Sequence, residues 1–292
     1  MKTAYLDCAS GISGDMTLGA LVDAGVDLHA IQAGIQSLGL ENCKVTAEEV
    51  QKNGFRATQI KIEHPPEHAH RHLIDITRMI DGSKLSPNQK EIAKNIFTRL
   101  GEAEAKVHGT TLDKVHFHEV GAIDSIADIV GVAIGWDLLN VDRICASPIP
   151  TGTGTIQIAH GRCSLPAPAT AELLKGIPLA DSDVQAELTT PTGAAIIAEL
   201  VDTFGPLPSM SLEKIGCGAG ERDLPSQPNL LRLMLGTTDA IPSIANTIWM
   251  VETQIDDATG EWIGYLRELL FDHGAIDVYC TAIQMKKNRP GV

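Results

Sequence analysis

Seven of the ten histidines lie between positions 64 and 118: His64, His68, His70, His72, His108, His116 and His118. They form two clusters, HPPEHAHRH at 64–72 and HFHE at 116–119, and Asp124 and Asp128 follow the second closely. Imidazole is a favoured nitrogen ligand for nickel, copper, zinc and iron, so such tracts read first as metal sites. A solvated polar loop beside a buried strand edge is the alternative for one isolated tract. Two tracts with carboxylates nearby favour metal.

The elements around these residues would aim them. Pro65 and Pro66 forbid a helix start before Glu67. Leu73, Ile76, Met79 and Ile80 then repeat at helical spacing until Gly82. His68 and His72 would therefore stack at i,i+4 near a first helical turn, whose dipole favours the neutral imidazole that binds metal. Ser86-Pro87-Asn88-Gln89 is a capping box that opens a helix to about Val107, closed at Gly109. Lys114–His118 alternates like a strand, which sets His116 and His118 on one face about 7 Å apart. Gly121 turns the chain into a helix over 124–139, with Asp124 and Asp128 one turn apart. Two imidazoles and two carboxylates at one strand–helix turn describe a divalent site. A helix cap plus a surface carboxylate describes the same residues without a ligand.

The chain opens as strand, loop and helix. Thr3–Cys8 is β-compatible, Ser10-Gly11-Ile12-Ser13-Gly14-Asp15 is a loop, and Met16–Ala24 is helical. Gly11 and Gly14 permit a tight turn whose helix N-terminus offers free N–H groups to an anion, and Asp7 and Asp15 flank it as candidate ligands of an accompanying cation. A plain turn capped by Asp15 is the alternative. No Gly-Lys pair ends the loop, so it is not a Walker loop.

Composition narrows the class. Of 292 residues, 43% are hydrophobic and 21% charged, and the formal charge is −14. An acidic chain lacks the basic footprint of a nucleic-acid binder. No run of about 18 uncharged apolar residues suggests a membrane span, and Asp7 precedes any signal-peptide core, which points to the cytoplasm. The six cysteines contain no C-x-x-C pair, so a zinc finger has no support.

Glycine- and proline-rich turns fill the middle of the chain at 150–155, 166–170 and 187–193, and 216–223 reads as a mobile loop. Residues 237–246 read as a linker. From Thr247 a strand (248–254), an acidic turn (Asp256-Asp257), a helix (260–273) and a second strand (276–281) suggest half of a ferredoxin-like plait, ending in Met285-Lys286-Lys287-Asn288-Arg289-Pro290-Gly291-Val292. The expectation is thus an α/β (α+β) protein: a mixed α/β region at 1–240, carrying the His-rich segment 64–72, and an incomplete plait at 247–292 that stops short of its last elements. A basic run opposite an acidic pair suits a polyphosphate with Mg²⁺. A solvated charged tail is the other reading.

These segments resemble the LarC family of nickel insertion proteins. The resemblance rests on SGISGDM at 10–16, AEAKVHG at 103–109, VHFHEVGAIDSIADIVG at 115–131 and HGRCSLPAPATAELLKG at 160–176. It continues through TPTGAA at 190–195, IGCGAGERD at 215–223, VETQIDDATGE at 251–261 and MKKNRPG at 285–291. It implies insertion of Ni²⁺ into a pyridinium bisthiocarboxylate mononucleotide, giving a nickel-pincer cofactor with two sulfurs and one ring carbon on the metal. It also implies CTP as co-substrate, Mg²⁺ or Mn²⁺ as helper, and a homo-oligomer. By motif match, Asp256, Asp257, Lys286, Lys287 and Arg289 would belong to the CTP site and act in catalysis. The basic three would hold the nucleotide, with the Gly11 and Gly14 turn a further anion-binding candidate from the residues themselves. The resemblance places nickel in the N-terminal part without fixing its ligands, for which His64, His68, His70, His72, His116, His118, Asp124 and Asp128 are the candidates. A chain lacking part of its last domain is expected to bind nickel but to bind CTP weakly. A non-enzymatic nickel store and a metal-dependent phosphoesterase built on His116, His118, Asp124 and Asp128 are the competing functions.

Overall fold

The structure, a computed structural model, describes residues 1–66, 71–115, 117, 121–158, 160–238 and 250–292. The chain divides into two compact units, Met1–Ala240 and Ile241–Val292. The first begins with β1 (Lys2–Asp7), α1 (Gly14–Asp23), α2 (Leu28–Gln36), β2 (Lys44–Lys52), β3 (Phe55–Glu63), α3 (Leu73–Gly82), α4 (Pro87–Val107) and α5 (Ile123–Leu139). It continues with β4 (Arg143–Ala146), β5 (Ile149–Pro150), β6 (Thr155–Ile158), β7 (Gly161–Ser164), α6 (Pro168–Leu173) and β8 (Leu179–Ala180). It closes with α7 (Pro191–Leu200), β9 (Thr203–Phe204), β10 (Ser211–Ala219) and β11 (Leu230–Thr237).

Seven strands make one mixed sheet in the order β2-β3-β10-β11-β1-β4-β9. β1 runs antiparallel to β11, with Lys2 opposite Thr237 and Asp7 opposite Arg232, and parallel to β4. Strand alternation sorts the side chains. Ala4 and Leu6 join Leu231, Leu233 and Leu235 in the core shared with the helices, while Tyr5, Met234 and Cys145 cluster separately. Helix α5 is apolar around most of its circumference and is buried accordingly. Its Gly135 leaves room for α1: a Cβ there would lie 2.8 Å from Leu21 Cδ1.

The mixed α/β class expected from the sequence is what forms. The capping box of α4 is present, with Ser86 and Gln89 bonding reciprocally behind Pro87. Three local expectations fail. Residues 216–219 are not a loop: they end β10, deep in the sheet. Their glycines serve helix packing, since a Cβ on Gly218 would stand 1.8 Å from Met16 O and one on Gly216 2.1 Å from Ala20 O. Leu112–Lys114 form a turn, and neither Val115 nor Phe117 lies in a strand. Both are almost fully buried, so their alternation reflects core packing rather than a ladder. In the second unit, no strand forms over 250–254 or 276–281, so the strand–helix–strand half plait does not appear. An extended segment needs a neighbour to pair with. The described residues there supply α8 (Gly260–Asp272) and a small hairpin, β12 (Ile283–Met285) and β13 (Arg289–Gly291).

Candidate functional site

Two loops that are far apart in sequence are zipped together. Ile12 N–H donates to Leu188 O (3.0 Å), and Thr190 N–H donates to Ile12 O (3.1 Å). Close approach explains the glycines. Gly11 has φ +85°, with Leu188 O 2.0 Å from where a Cβ would sit, and Gly193 meets Ile12 O at 2.1 Å. The zipper brings together the starts of α1 and α7, capped by Ser13 and Thr190.

A cleft of about 540 Å³ opens against these loops, lined also by β3, the start of α5 and the 220–229 loop. Its lining is acidic: Glu63, Asp15, Asp124, Asp128, Glu187 and Glu221, against Lys61 and Arg222. Asp128 packs against the start of α1. Its Oδ1 is shielded from solvent and has no hydrogen-bond partner among the described residues. Burial, then the charges of Asp15, Asp124 and Glu221, push its carboxyl well above the usual carboxylate range. Burial also raises Asp15, opposed by the Ser13 hydroxyl and the Met16 N–H that bond to it. Crowded carboxylates of this kind are relieved by a proton or by a cation.

The expected site residues fall as follows. Asp124 and Asp128 both line the cleft, and His64 comes to its rim, with Nε2 2.9 Å from Asp124 Oδ1 and Nδ1 2.8 Å from Pro65 O. His72 is the N-cap residue of α3, with Nδ1 3.1 Å from Val115 O and its N–H bonded to Asp75. His68, His70, His116 and His118 lie outside the described residues. Gly14 packs on Asp128. Asp7 does not join Asp15: it pairs with Arg232 across the β1–β11 ladder and lies outside the cleft lining. Sequence reasoning missed Glu187 and Glu221. Each adjoins a glycine-rich turn, but nothing local shows that both turns face one cleft. Among the described residues, no three His, Cys, Asp or Glu side chains already converge as a metal cage.

In the second unit the acidic and basic motifs meet. Ile255 and Val292 exchange two backbone hydrogen bonds of 2.9 and 3.0 Å, and Arg289 Nη1 lies 3.8 Å from Asp256 Oδ2. Lys286–Asn288 form a 3₁₀ turn with Lys287 and Asn288 left-handed, at φ 62° and 57°. Among the described residues, no helix is long and apolar enough to cross a membrane.

An acidic cleft with an imidazole at its rim, set on a mixed α/β unit, describes a cation-handling protein. Over residues 4–292 the chain matches the family described as nickel insertion protein, and it belongs to that family. It is similar to the pyridinium-3,5-bisthiocarboxylic acid mononucleotide nickel insertion protein of Desulfitobacterium hafniense (strain DSM 10664 / DCB-2), with 50% identity covering 100% of this chain and 74% of that protein. The protein of the same name in Geobacillus kaustophilus is 48% identical, covering 100% and 75%. A protein of Rhodopirellula baltica that carries a provisional nickel-insertion name is 56% identical, covering 99% and 74%. No solved structure matches the chain.

Proposed function

We propose that this protein inserts Ni²⁺ into pyridinium-3,5-bisthiocarboxylic acid mononucleotide, in a reaction that consumes CTP with Mg²⁺ or Mn²⁺. The observation that carries the insertion is similarity over the whole of this chain to relatives named for it, while the CTP part rests on the donor set of the second unit. Nickel and the mononucleotide are both substrates. The first unit is suited to the metal. The partnerless Asp128 oxygen, with Asp124 and His64 at the rim, offers oxygen and nitrogen donors that hold a divalent ion while still exchanging it. His116 and His118 would serve with Asp128 as further nickel ligands, together with the 64–72 tract.

The second unit is suited to the nucleotide. Asp256 and Asp257 stand beside the turn bearing Lys286, Lys287 and Arg289. That donor set fits a polyphosphate and its metal ion: carboxylates would hold Mg²⁺ or Mn²⁺, which supplies charge neutralisation at the phosphates. The three basic side chains would bind the phosphate oxygens and steady the charge that develops on them during transfer.

The test is mass spectrometry of the small-molecule product made from the mononucleotide with Ni²⁺, with and without CTP. A product that gains nickel and loses a ring proton only when CTP is present supports both parts. Equal yield without CTP removes the nucleotide requirement, and an unmodified mononucleotide removes insertion. Nickel bound and released with no chemical change would favour the storage reading.

A further inference from the structure

We infer that Glu104, His108 and His160 form a second divalent-cation site in the first unit, distinct from the acidic cleft. The donor set is two imidazoles and one carboxylate, which takes ions of the nickel, copper and zinc class and leaves coordination positions open. His108 follows the last turn of α4, and its Nε2 lies 3.2 Å from Oε2 of Glu104, one turn earlier on the same helix. The His160 ring arrives from the turn between β6 and β7. Its centroid is 4.8 Å from that of His108, with the planes at 52°.

These spacings suit a shared ion. Two metal bonds of about 2.1 Å at right angles place their donor atoms about 3.0 Å apart, and place the centroids of two imidazoles about 4.6 Å apart. A tilted ring pair alone would account for His108 and His160, and a hydrogen-bonded pair alone for Glu104 and His108. Together the two contacts make His108 the common neighbour of a carboxylate on its own helix and of an imidazole from a distant hairpin turn. The three do not yet close on one point, so His160 would turn about its side-chain bonds to complete the set. The place is reachable: the His108 side chain is 30% exposed and that of Glu104 18%. A solvent-facing site without thiolates exchanges its ion readily. Binding of the ion stands on this geometry alone. Its use as a waiting position for nickel rests on the proposed function.

The test titrates Ni²⁺ alone, without mononucleotide or CTP, into the full chain carrying His64, His68, His70 and His72 all replaced by Ala. That protein should keep a nickel equivalent at Glu104, His108 and His160. His108→Gln and His160→Gln should each weaken that equivalent by roughly tenfold or more, with unchanged thermal melts. Glu104→Gln, which leaves both rings in place, should weaken it too. Cu²⁺ in the same protein should show electron paramagnetic resonance coupling to two imidazole nitrogens, reduced to one in either histidine variant. Wild-type affinity with two-nitrogen coupling in the double variant His108→Gln/His160→Gln would overturn the site. So would a four-alanine protein in which no nickel equivalent responds to His108→Gln or His160→Gln. With no substrate present, the outcome is independent of whether insertion occurs.

Discussion

Gly14 leaves no space between the start of α1 and Asp128: a Cβ at position 14 would stand 2.5 Å from Asp128 Oδ2 and 2.7 Å from its Cβ. The glycine thus sets how close the α1 turn comes to the carboxylate that shapes the cleft. Gly14→Ala should force Asp128 off its position and destabilise the protein by about 1–3 kcal/mol, the scale of overpacking at a fixed contact. Urea titration measures this, and a wild-type midpoint would show that the contact yields freely.

Asp128 itself should cost stability at neutral pH. Its carboxyl is raised in the folded state, while in the unfolded chain it titrates near about 3.9. The folded state then binds the proton more tightly, so this group's contribution is fully present below about pH 4 and is lost as pH rises through the folded value. Asp128→Asn removes that penalty. In the absence of divalent ions the variant should melt higher at pH 7, by about 2–4 °C for each kcal/mol recovered in a unit of this size. The gap should close on acidification towards pH 4. Calorimetry across pH 4–8 checks it, and a lower melting point at pH 7 would contradict the assignment.

Lys52 should hold the wall of the cleft. It is 7% exposed, and its Nζ donates to Asp223 (2.7 Å) and to Glu221 O (3.0 Å), tying the 220–229 loop to β2. Lys52→Met keeps the stem and removes both bonds. Loss of about 1–2 kcal/mol would raise the opened population of that loop by roughly 5–30-fold. Trypsin should then cut faster after Arg222, and an unchanged cleavage rate would show that the loop is held elsewhere.

Lys287 carries the expectation for the nucleotide. If the 286–289 turn binds CTP, Lys287→Ala should weaken binding by about 1.5–3 kcal/mol, the scale of a lost charge-assisted hydrogen bond. Calorimetric titration with CTP and Mg²⁺ reads this directly. Equal affinities would move the nucleotide away from this turn.

Local chemistry was the legible part of this chain. Ser86, Pro87 and Gln89 mark the start of α4 because capping is decided within one turn, and Gly121 and Asn140 bracket α5 closely. The β2–β3 hairpin was also legible, though passed over: Asn53-Gly54, at φ 48° and 84°, is the two-residue turn signal that such hairpins need. Long-range pairing was not legible. Gly216 and Gly218 look like a loop until α1 is seen lying on them, since glycine serves turns and close approach alike. At the site, Asp124 and Asp128 could be grouped from i,i+4 spacing. The meeting of His64 with Asp124, and the convergence of Glu187 and Glu221, depend on loops joined only by the fold.

The place of β1 in the sheet bears on how the protein is made. β1 is synthesised well before its neighbours β11 and β4, and its ladder is completed only by residues 232–237. At about 5–20 residues per second, roughly 10–50 s pass on the ribosome before β11 can pair. Through that interval Ala4 and Leu6 lack their final cover, and a strand edge stays open to the wrong partner. Closing so long a loop also slows refolding of the finished chain. Overproduction should therefore favour aggregation of nascent chains at high synthesis rates, and slower translation or holding chaperones should raise the yield of folded protein.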